Sequence, residues 1–364
     1  MDWIIYTLGA LLVLCAAVDV FLTVLYARSG IGLLSPGVNR SVWFLFRKTA
    51  GFVPSRKHLI LSFCGPTIIV VLTLLWVVLL VTGFALIIWP QLGINVVSDN
   101  GRTPTHFMAA MYYSGYSFST LGTGNIIPEN DFYRILMVAQ SVIGFSFFTL
   151  IITYFLSLFD ALRQRNTFAV SLHGKTLNSG DPSEYVSRLA VDQELIYAQQ
   201  QFAEISVQLS NILESHHFYP ILQYFRFPQA QYSIPRILFV TLDTVSLLKT
   251  TLDEKRFAPQ IRGAAVEEMW SGGMSLLSYF TEAMLSEQSR TALPEPRKSP
   301  ESVQWTDHYH KARTQMHKWG VPVRENAEAG LREYNAYRLQ WEHGIIALGD
   351  LMLFEKDETF PKRD

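Results

Sequence analysis

Residues 59 to 89 form a run of 31 positions without one charged side chain. At 1.5 Å per helical residue such a run exceeds what a hydrocarbon core of about 30 Å requires. It therefore crosses a bilayer, with part of its length left outside the crossing. Pro66 suits the first turn of a helix, where a missing N–H costs nothing. This predicts a span over about 66 to 89, with 59 to 65 approaching along the interface. Two more runs are of the same kind: residues 3 to 26 carry the single charge Asp19, and residues 135 to 159 carry none. The first opens on Asp2 without a Lys or Arg and is longer than a usual signal core, so it reads as a span and not as a cleaved signal peptide.

Charge divides the chain in two. Residues 1 to 165 hold 10 basic and 6 acidic side chains, whereas residues 166 to 364 hold 20 and 25. The first part has the composition of a membrane domain and the second that of a water-soluble one, which excludes a wholly soluble enzyme. A net charge of −1 lacks the basic excess of a nucleic-acid-binding face, so no nucleic acid is expected as a partner. Cys15 and Cys64 lie in apolar runs, as small buried hydrophobes and not as a disulfide framework or metal site. Between the first two runs stand Arg28, Arg40, Arg47, Lys48, Arg56 and Lys57, with no acid. The positive-inside rule puts this loop in the cytoplasm. It follows that the N-terminus is outside and that everything beyond the third span is cytoplasmic, on a multi-pass protein of the plasma or inner membrane. Within the loop, RSVWFLFRK at 40 to 48 suits either a short helix on the inner membrane surface or a segment packed on the C-terminal domain.

The connection from 90 to 134 contains an apolar, aromatic stretch at 106 to 118. Some 13 helical residues cover only about 20 Å, so this piece reads as a re-entrant helix. After it comes STLGTGNIIP. Non-helical backbone at membrane depth requires burial in protein or a water-filled cavity. A span, a half-crossing helix, a glycine-punctuated loop and a further span make the plan of a pore.

This stretch, about 66 to 160, resembles the pore-loop cation channels related to potassium channels. TLGTG at 120 to 124 aligns with their filter signature TVGYG, and TLGTGN followed by Pro128 is closer still to the TVGDGN of bacterial nonselective NaK channels. The resemblance implies a homotetramer in a lipid bilayer. Thr120, Leu121, Gly122, Thr123 and Gly124 would be the ion-coordinating filter, stripping water from K+ or Na+ with stacked rings of oxygens, and Gly122 and Gly124 would allow the backbone to alternate in handedness. Ser119, Asn125, Tyr113 and Tyr116 would support it. Also implied is an inner-helix hinge at Gly144, with no catalytic residue, no bound metal and no cofactor beyond the permeant ion.

The sequence also departs from that pattern. Thr123 stands where most potassium channels carry a bracing Tyr or Phe, Tyr116 where many carry Glu, and Asn125 where they commonly carry Asp; Tyr112, Tyr113, Tyr116 and Phe118 would partly fill the gap behind Thr123. Potassium is the leading ion and nonselective sodium and potassium conduction the alternative. Beyond Gly144, the positions Phe145, Phe148, Ile152, Leu156 and Asp160 recur at three- or four-residue steps and would form one face. On it Phe148 and Leu156 are candidates for an apolar gate, and Asp160 for a ring of carboxylates at the cytoplasmic mouth. The alternative for Asp160 is a salt bridge to Arg163 or Arg165. For Asp19, a structural hydrogen bond to a neighbouring helix or to Thr23 is expected ahead of a functional role.

In the polar half, Asp181, Pro182 and Glu184 mark a helix start, with apolar positions extending it to about Ser215. A second helix runs from Ser233 and Pro235 to about Leu252. Others are expected at 258 to 288, weakened at Gly272 and Gly273, and at 325 to 355, with a break at Pro294, Pro296 and Pro300 between them. No strand alternation is visible, and no GxGxxG, P-loop, HExxH or nucleophile elbow. Asp307, His308, His310 and His317 lack a metal spacing and read as surface or packing groups, as do His216 and His217. No ligand of this tail is legible. The expected fold is an all-α membrane protein with three transmembrane helices, one re-entrant pore loop and a cytoplasmic α-helical domain. Residues 1–58 would be a peripheral transmembrane helix and basic interfacial segment, 59–165 the pore domain, and 166–364 the helical domain. The rival of another class is a membrane-anchored signalling protein whose C-terminal domain is the active part.

Overall fold

A computed structural model describes residues 2–26, 32–189, 195–285 and 301–360; Arg28, Pro294, Pro296 and Pro300 lie outside the described residues. Contacts divide the chain into two bodies. One comprises 1–160 together with 216–226, the other 161–215 together with 227–364.

The first body contains α1 (Asp2–Val20), which ends in a π-helical turn at Phe21–Leu25, then α2 (Ser35–Phe52), α3 (Lys57–Ser62), α4 (Cys64–Ile88), β1 (Val96–Ser98), α5 (Phe107–Phe118), β2 (Ile126–Pro128) and, as far as residue 160, α6 (Asp131–Lys175). Among the described residues three helical stretches are long and apolar enough to cross a membrane: Asp2–Leu25, Cys64–Gln91 and Asp131–Lys175. The protein is thus an all-α membrane protein with a helical C-terminal domain. α6 continues to Lys175, well beyond the expected end of the third span.

Helices in lipid gain nothing from hiding apolar surface from each other, so they associate where small residues let backbones approach. α1 and α4 meet in this way. A β-carbon on Gly9 would fall 2.6 Å from the Gly83 carbonyl oxygen, and one on Gly83 would fall 2.7 Å from Val13 Cγ2. Asp19 is 0% exposed. Its Oδ1 accepts the Leu34 N–H at 2.8 Å and the Ser35 N–H and hydroxyl at 3.4 Å, while its Oδ2 accepts the Trp76 indole N–H at 2.7 Å. The carboxylate thereby satisfies free N–H groups at the start of α2 and ties the first span to the second. Thr23, the other expected partner, shares a hydrogen bond with Ser35 at 2.7 Å.

The RSVWFLFRK segment is helical, within α2. Trp43 packs against Tyr224 with ring centroids 5.9 Å apart. This Tyr belongs to the returning segment 216–226, which also sets Tyr219 against Tyr154 at 5.8 Å and Phe225 against Phe159 at 6.4 Å. Gly65 leaves room for Phe225, since a β-carbon there would lie 2.7 Å from the ring. Arg226 Nη2 stands 2.8 Å from His58 Nδ1.

The second body is built around α9 (Ile234–Thr251), buried on nearly every side, the mark of a helix at the centre of a core. Around it lie α7 (Pro182–Leu189), α8 (Ile196–Phe218), α10 (Glu254–Ile261), α11 (Ala264–Met284), α12 (Glu301–Lys318), α13 (Ala327–Leu339), α14 (Glu342–Leu351) and α15 (Lys356–Thr359). Asp181 caps α7 by accepting the Ser183 N–H at 2.9 Å, and Ser233 caps α9 by accepting the Arg236 N–H at 3.2 Å. Several expected boundaries move. The helix from 182 stops at Leu189 and a new one starts at Ile196. The 258 to 288 stretch divides at Arg262 and Gly263, whereas Gly272 and Gly273 lie inside α11. Gly273 admits a neighbour: a β-carbon there would fall 2.7 Å from Leu242 Cδ2. The 325 to 355 stretch divides at Gln340 and Trp341, and α12 was not expected.

A cluster of charges lies within this core. Asp243 is 0% exposed and accepts from His308 Nε2 at 2.9 Å, the Tyr334 hydroxyl at 2.7 Å and Arg338 Nη1 at 2.9 Å. Arg338 also donates to Glu342 at 2.9 Å and lies 3.3 Å above the centre of the Trp305 ring. Burial by itself raises the Asp243 pKa, but the charges of His308 and Arg338 and the Tyr334 hydrogen bond outweigh it and hold the carboxyl below its ordinary value. Asp181 approaches the other imidazole nitrogen at 3.8 Å. His308 is therefore a packing histidine.

Candidate functional site

Beyond α4 the chain turns at Trp89–Gln91, and β1 pairs antiparallel with β2, Val96 opposite Pro128 and Ser98 opposite Ile126. This ladder closes residues 99 to 125 into a loop whose ends are held together. Inside it, His106 caps α5 by accepting the Ala109 N–H on Nδ1 at 3.2 Å. With 12 residues, α5 is about 18 Å long and cannot cross.

Both flanking spans grip α5 by polar contacts. The Ser114 hydroxyl donates to the Val81 carbonyl of α4 at 2.8 Å. From α6, Gln140 Nε2 donates to the Ser114 carbonyl at 2.9 Å and hydroxyl at 2.7 Å, and the Ser141 hydroxyl donates to the Ser117 carbonyl at 2.9 Å. Such bonds hold firmly in an apolar surround because unpaired polar groups there are costly. Sequence reasoning missed Ser114, Gln140 and Ser141; a Gln within an uncharged run was the available signal. Gly144 lies in the uninterrupted helix α6. Its lack of a side chain admits the end of α5, since a β-carbon would fall 1.8 Å from the Phe118 carbonyl oxygen.

The loop after α5 alternates in handedness, with φ of 59° at Thr120, 60° at Gly122 and 71° at Gly124. Alternating left- and right-handed residues turn successive peptide groups to the same side, as a row of coordinating carbonyls requires. Glycine adopts this without strain; at Thr120 the left-handed backbone costs about 1–2 kcal/mol. The residues from Ser119 to Asn125 are exposed in the single chain.

Support comes from α5. The Tyr112 hydroxyl donates to Thr123 Oγ1 at 3.2 Å, and Thr123 in turn donates to Asn125 Oδ1 at 3.0 Å. Buried Tyr116 donates its hydroxyl to the Ile126 carbonyl, and its ring centroid lies 5.3 Å from those of Tyr112 and Tyr113. Leu121 N–H returns to the Tyr116 carbonyl at 2.9 Å, and the Ser119 hydroxyl reaches the same oxygen at 3.3 Å. The Asn125 carbonyl accepts from the Asp99 N–H at 3.1 Å and the Ser98 hydroxyl at 3.2 Å, joining the loop to β1. Of the four aromatic residues expected to fill the space behind Thr123, Tyr112 is the one that reaches it by a hydrogen bond.

Along α6, Phe147, Ile151, Tyr154 and Leu158 are buried, while Phe145, Phe148, Ile152, Leu156 and Asp160 are exposed. The five positions fall on one helical face and are exposed, with Phe148 at 42% beside the Phe118 ring, 5.8 Å between centroids.

Residues 67–161, from the first turn of α4 to just past Asp160, match a protein-family model described as an ion channel. A protein of Bacillus subtilis (strain 168) described as "Uncharacterized membrane protein YdjJ" is 24% identical over 249 residues, covering 68% of this chain and 70% of the relative. That length exceeds the whole membrane part, so the likeness extends into the C-terminal half. No solved structure matches the chain. The family match supports an ion channel in a membrane.

Proposed function

We propose that the chain is one subunit of a homotetrameric cation channel that conducts K+ passively through the 120–124 loop. The observation that carries this reading is the alternation of backbone handedness at Thr120, Gly122 and Gly124, on a bare loop at the end of a half-length helix gripped by two spans. A single such loop cannot surround an ion, so a ring of four copies about a fourfold axis is required. Each α6 then turns its exposed face to the axis, with Phe148 and Leu156 closing the path by dewetting and Asp160 forming the cytoplasmic mouth, unless Asp160 is held by Arg163 or Arg165 as a plain helix ion pair. The C-terminal body lies in the cytoplasm and assembles or gates the pore.

Nonselective passage of Na+ and K+ is the second reading, favoured by the absence of a carboxylate at Tyr116 and Asn125. One experiment addresses both: the purified protein in liposomes under K+ or Na+ gradients, with the mass of the detergent complex measured alongside. Four chains with K+ flux well above Na+ flux is the expected result. Equal fluxes move the assignment to the nonselective reading; a complex of one or two chains without flux removes the channel.

A further inference from the structure

From Val20 to Ser98 the sequence contains no acidic residue, while Arg40, Arg47, Lys48, Arg56 and Lys57 fall within the described part of that stretch. Three of these cations stand on α2, whose 18 residues are anchored at one end by the Asp19 contacts to Leu34 and Ser35. One side of the helix is turned inward, with Ser35 and Ala50 buried. The other side alternates cation with large apolar side chain. Arg40, Phe44 and Arg47 follow at helical spacing in one row, and Leu45, Lys48 and Phe52 in the next. All six are exposed, with Phe44 at 67%, Leu45 at 62% and Phe52 at 76%.

Large apolar groups left bare on a wholly basic helix fit neither water nor a second copy of the same basic helix. They fit a surface that is anionic at one level and hydrocarbon just beneath it. We infer that this face of α2 is a binding site for anionic phospholipid of the adjoining leaflet. Arg40, Arg47 and Lys48 take the headgroup phosphates, and Phe44, Leu45 and Phe52 enter the boundary with the acyl chains. The Asp19 anchor joins the start of α2 to the first span, so the end of that span and the lipid face are fixed to each other.

The test reads binding and not flux, so it stands apart from the channel reading. The full chain in neutral detergent is titrated with fluorescent short-chain phosphatidylglycerol, with unlabelled phosphatidylglycerol, phosphatidylcholine and glycerol phosphate as competitors. Displacement by unlabelled phosphatidylglycerol alone is expected. Replacing three surface cations in R40Q/R47Q/K48Q weakens binding about a hundredfold, roughly fivefold for each, while R40K/R47K stays near the parent. F44S/L45S/F52S, with the three cations intact, also binds the lipid more weakly. Equal competition by phosphatidylcholine, or by glycerol phosphate as a soluble anion, overturns the inference. So does a charge variant within threefold of the parent, provided its thermal unfolding is unchanged; should that variant unfold, the apolar one decides, and undiminished lipid binding by it overturns the inference as well.

Discussion

Asp19 and Asp243 are both carboxylates with no exposed surface, and the two bodies satisfy them by different means. Among the described residues, Asp19 receives neutral donors: two backbone N–H groups at the start of α2, the Ser35 hydroxyl and the Trp76 indole. Asp243 receives an imidazole, a guanidinium and a phenol from two other helices. The first arrangement uses the partial positive charge of a helix start and locates one loop against two spans. The second joins α9 to α12 and α13, and through Arg338 and Glu342 to α14. Dipoles suffice for a local anchor, whereas opposite charges make a hub on which a whole core depends.

The largest expected effect separates the bodies outright. Gly122→Ala places a side chain at φ 60°, and liposome cation flux should vanish while the mass of the detergent complex and the melting of the C-terminal body remain as in the parent; persistent flux would withdraw the filter assignment. Next in size is Asp243→Asn, which breaks a buried charge network and should cost about 3–5 kcal/mol in unfolding of the second body. Because the folded pKa of Asp243 lies below its unfolded value, its contribution is complete above the ordinary carboxylate range of about pH 4 and fades as pH falls through the folded value. Melting followed from pH 7 down to 3 should show that loss in the parent and a flatter acid limb in the variant.

Asp19→Asn should cost less, about 1–3 kcal/mol, as an acceptor remains for neutral donors. If detergent unfolding shows it to be as damaging as Asp243→Asn, the contrast between dipole anchor and charge hub fails. The smallest effect belongs to Thr123→Val, which removes the hydroxyl between Tyr112 and Asn125. A net hydrogen bond of about 1 kcal/mol translates into a change of about fivefold in the K+ to Na+ flux ratio with total flux retained, and an unaltered ratio would mean that the brace does not tune selectivity.

The spans were legible because an uncharged run of that length has no other place to fold, and α5 because an apolar stretch too short to cross still needed cover. Gly122 and Gly124 announced their backbone; Thr120 did not, since nothing in a threonine forecasts a left-handed conformation. At Gly144 the sequence pointed to a hinge, and the structure adds a close approach of the Phe118 carbonyl that equally calls for glycine. Gly272 and Gly273 misled because intrinsic helix weakness is overridden by packing, of Gly272 against Leu209 and of Gly273 against Leu242. The missed helix α12 carried its signal in Trp305, Tyr309, Ala312 and Met316, which are buried at helical spacing; its many polar and charged residues directly after three prolines hid that periodicity. The brace from Tyr112 to Thr123 joins residues 11 apart across a turn whose path no local pattern specifies.

The membrane body is discontinuous in sequence: 1–160 is finished only by 216–226. All three spans are therefore synthesised before the piece that covers Gly65 with Phe225, Trp43 with Tyr224 and Tyr154 with Tyr219. At a translation rate of about 5–20 residues per second the wait beyond residue 160 is about 3–13 s, during which that apolar base stands open. A polypeptide that stops after its last span has every helix needed to enter the bilayer and still lacks the part that completes it, so membrane insertion and maturation are separate events in the life of this chain.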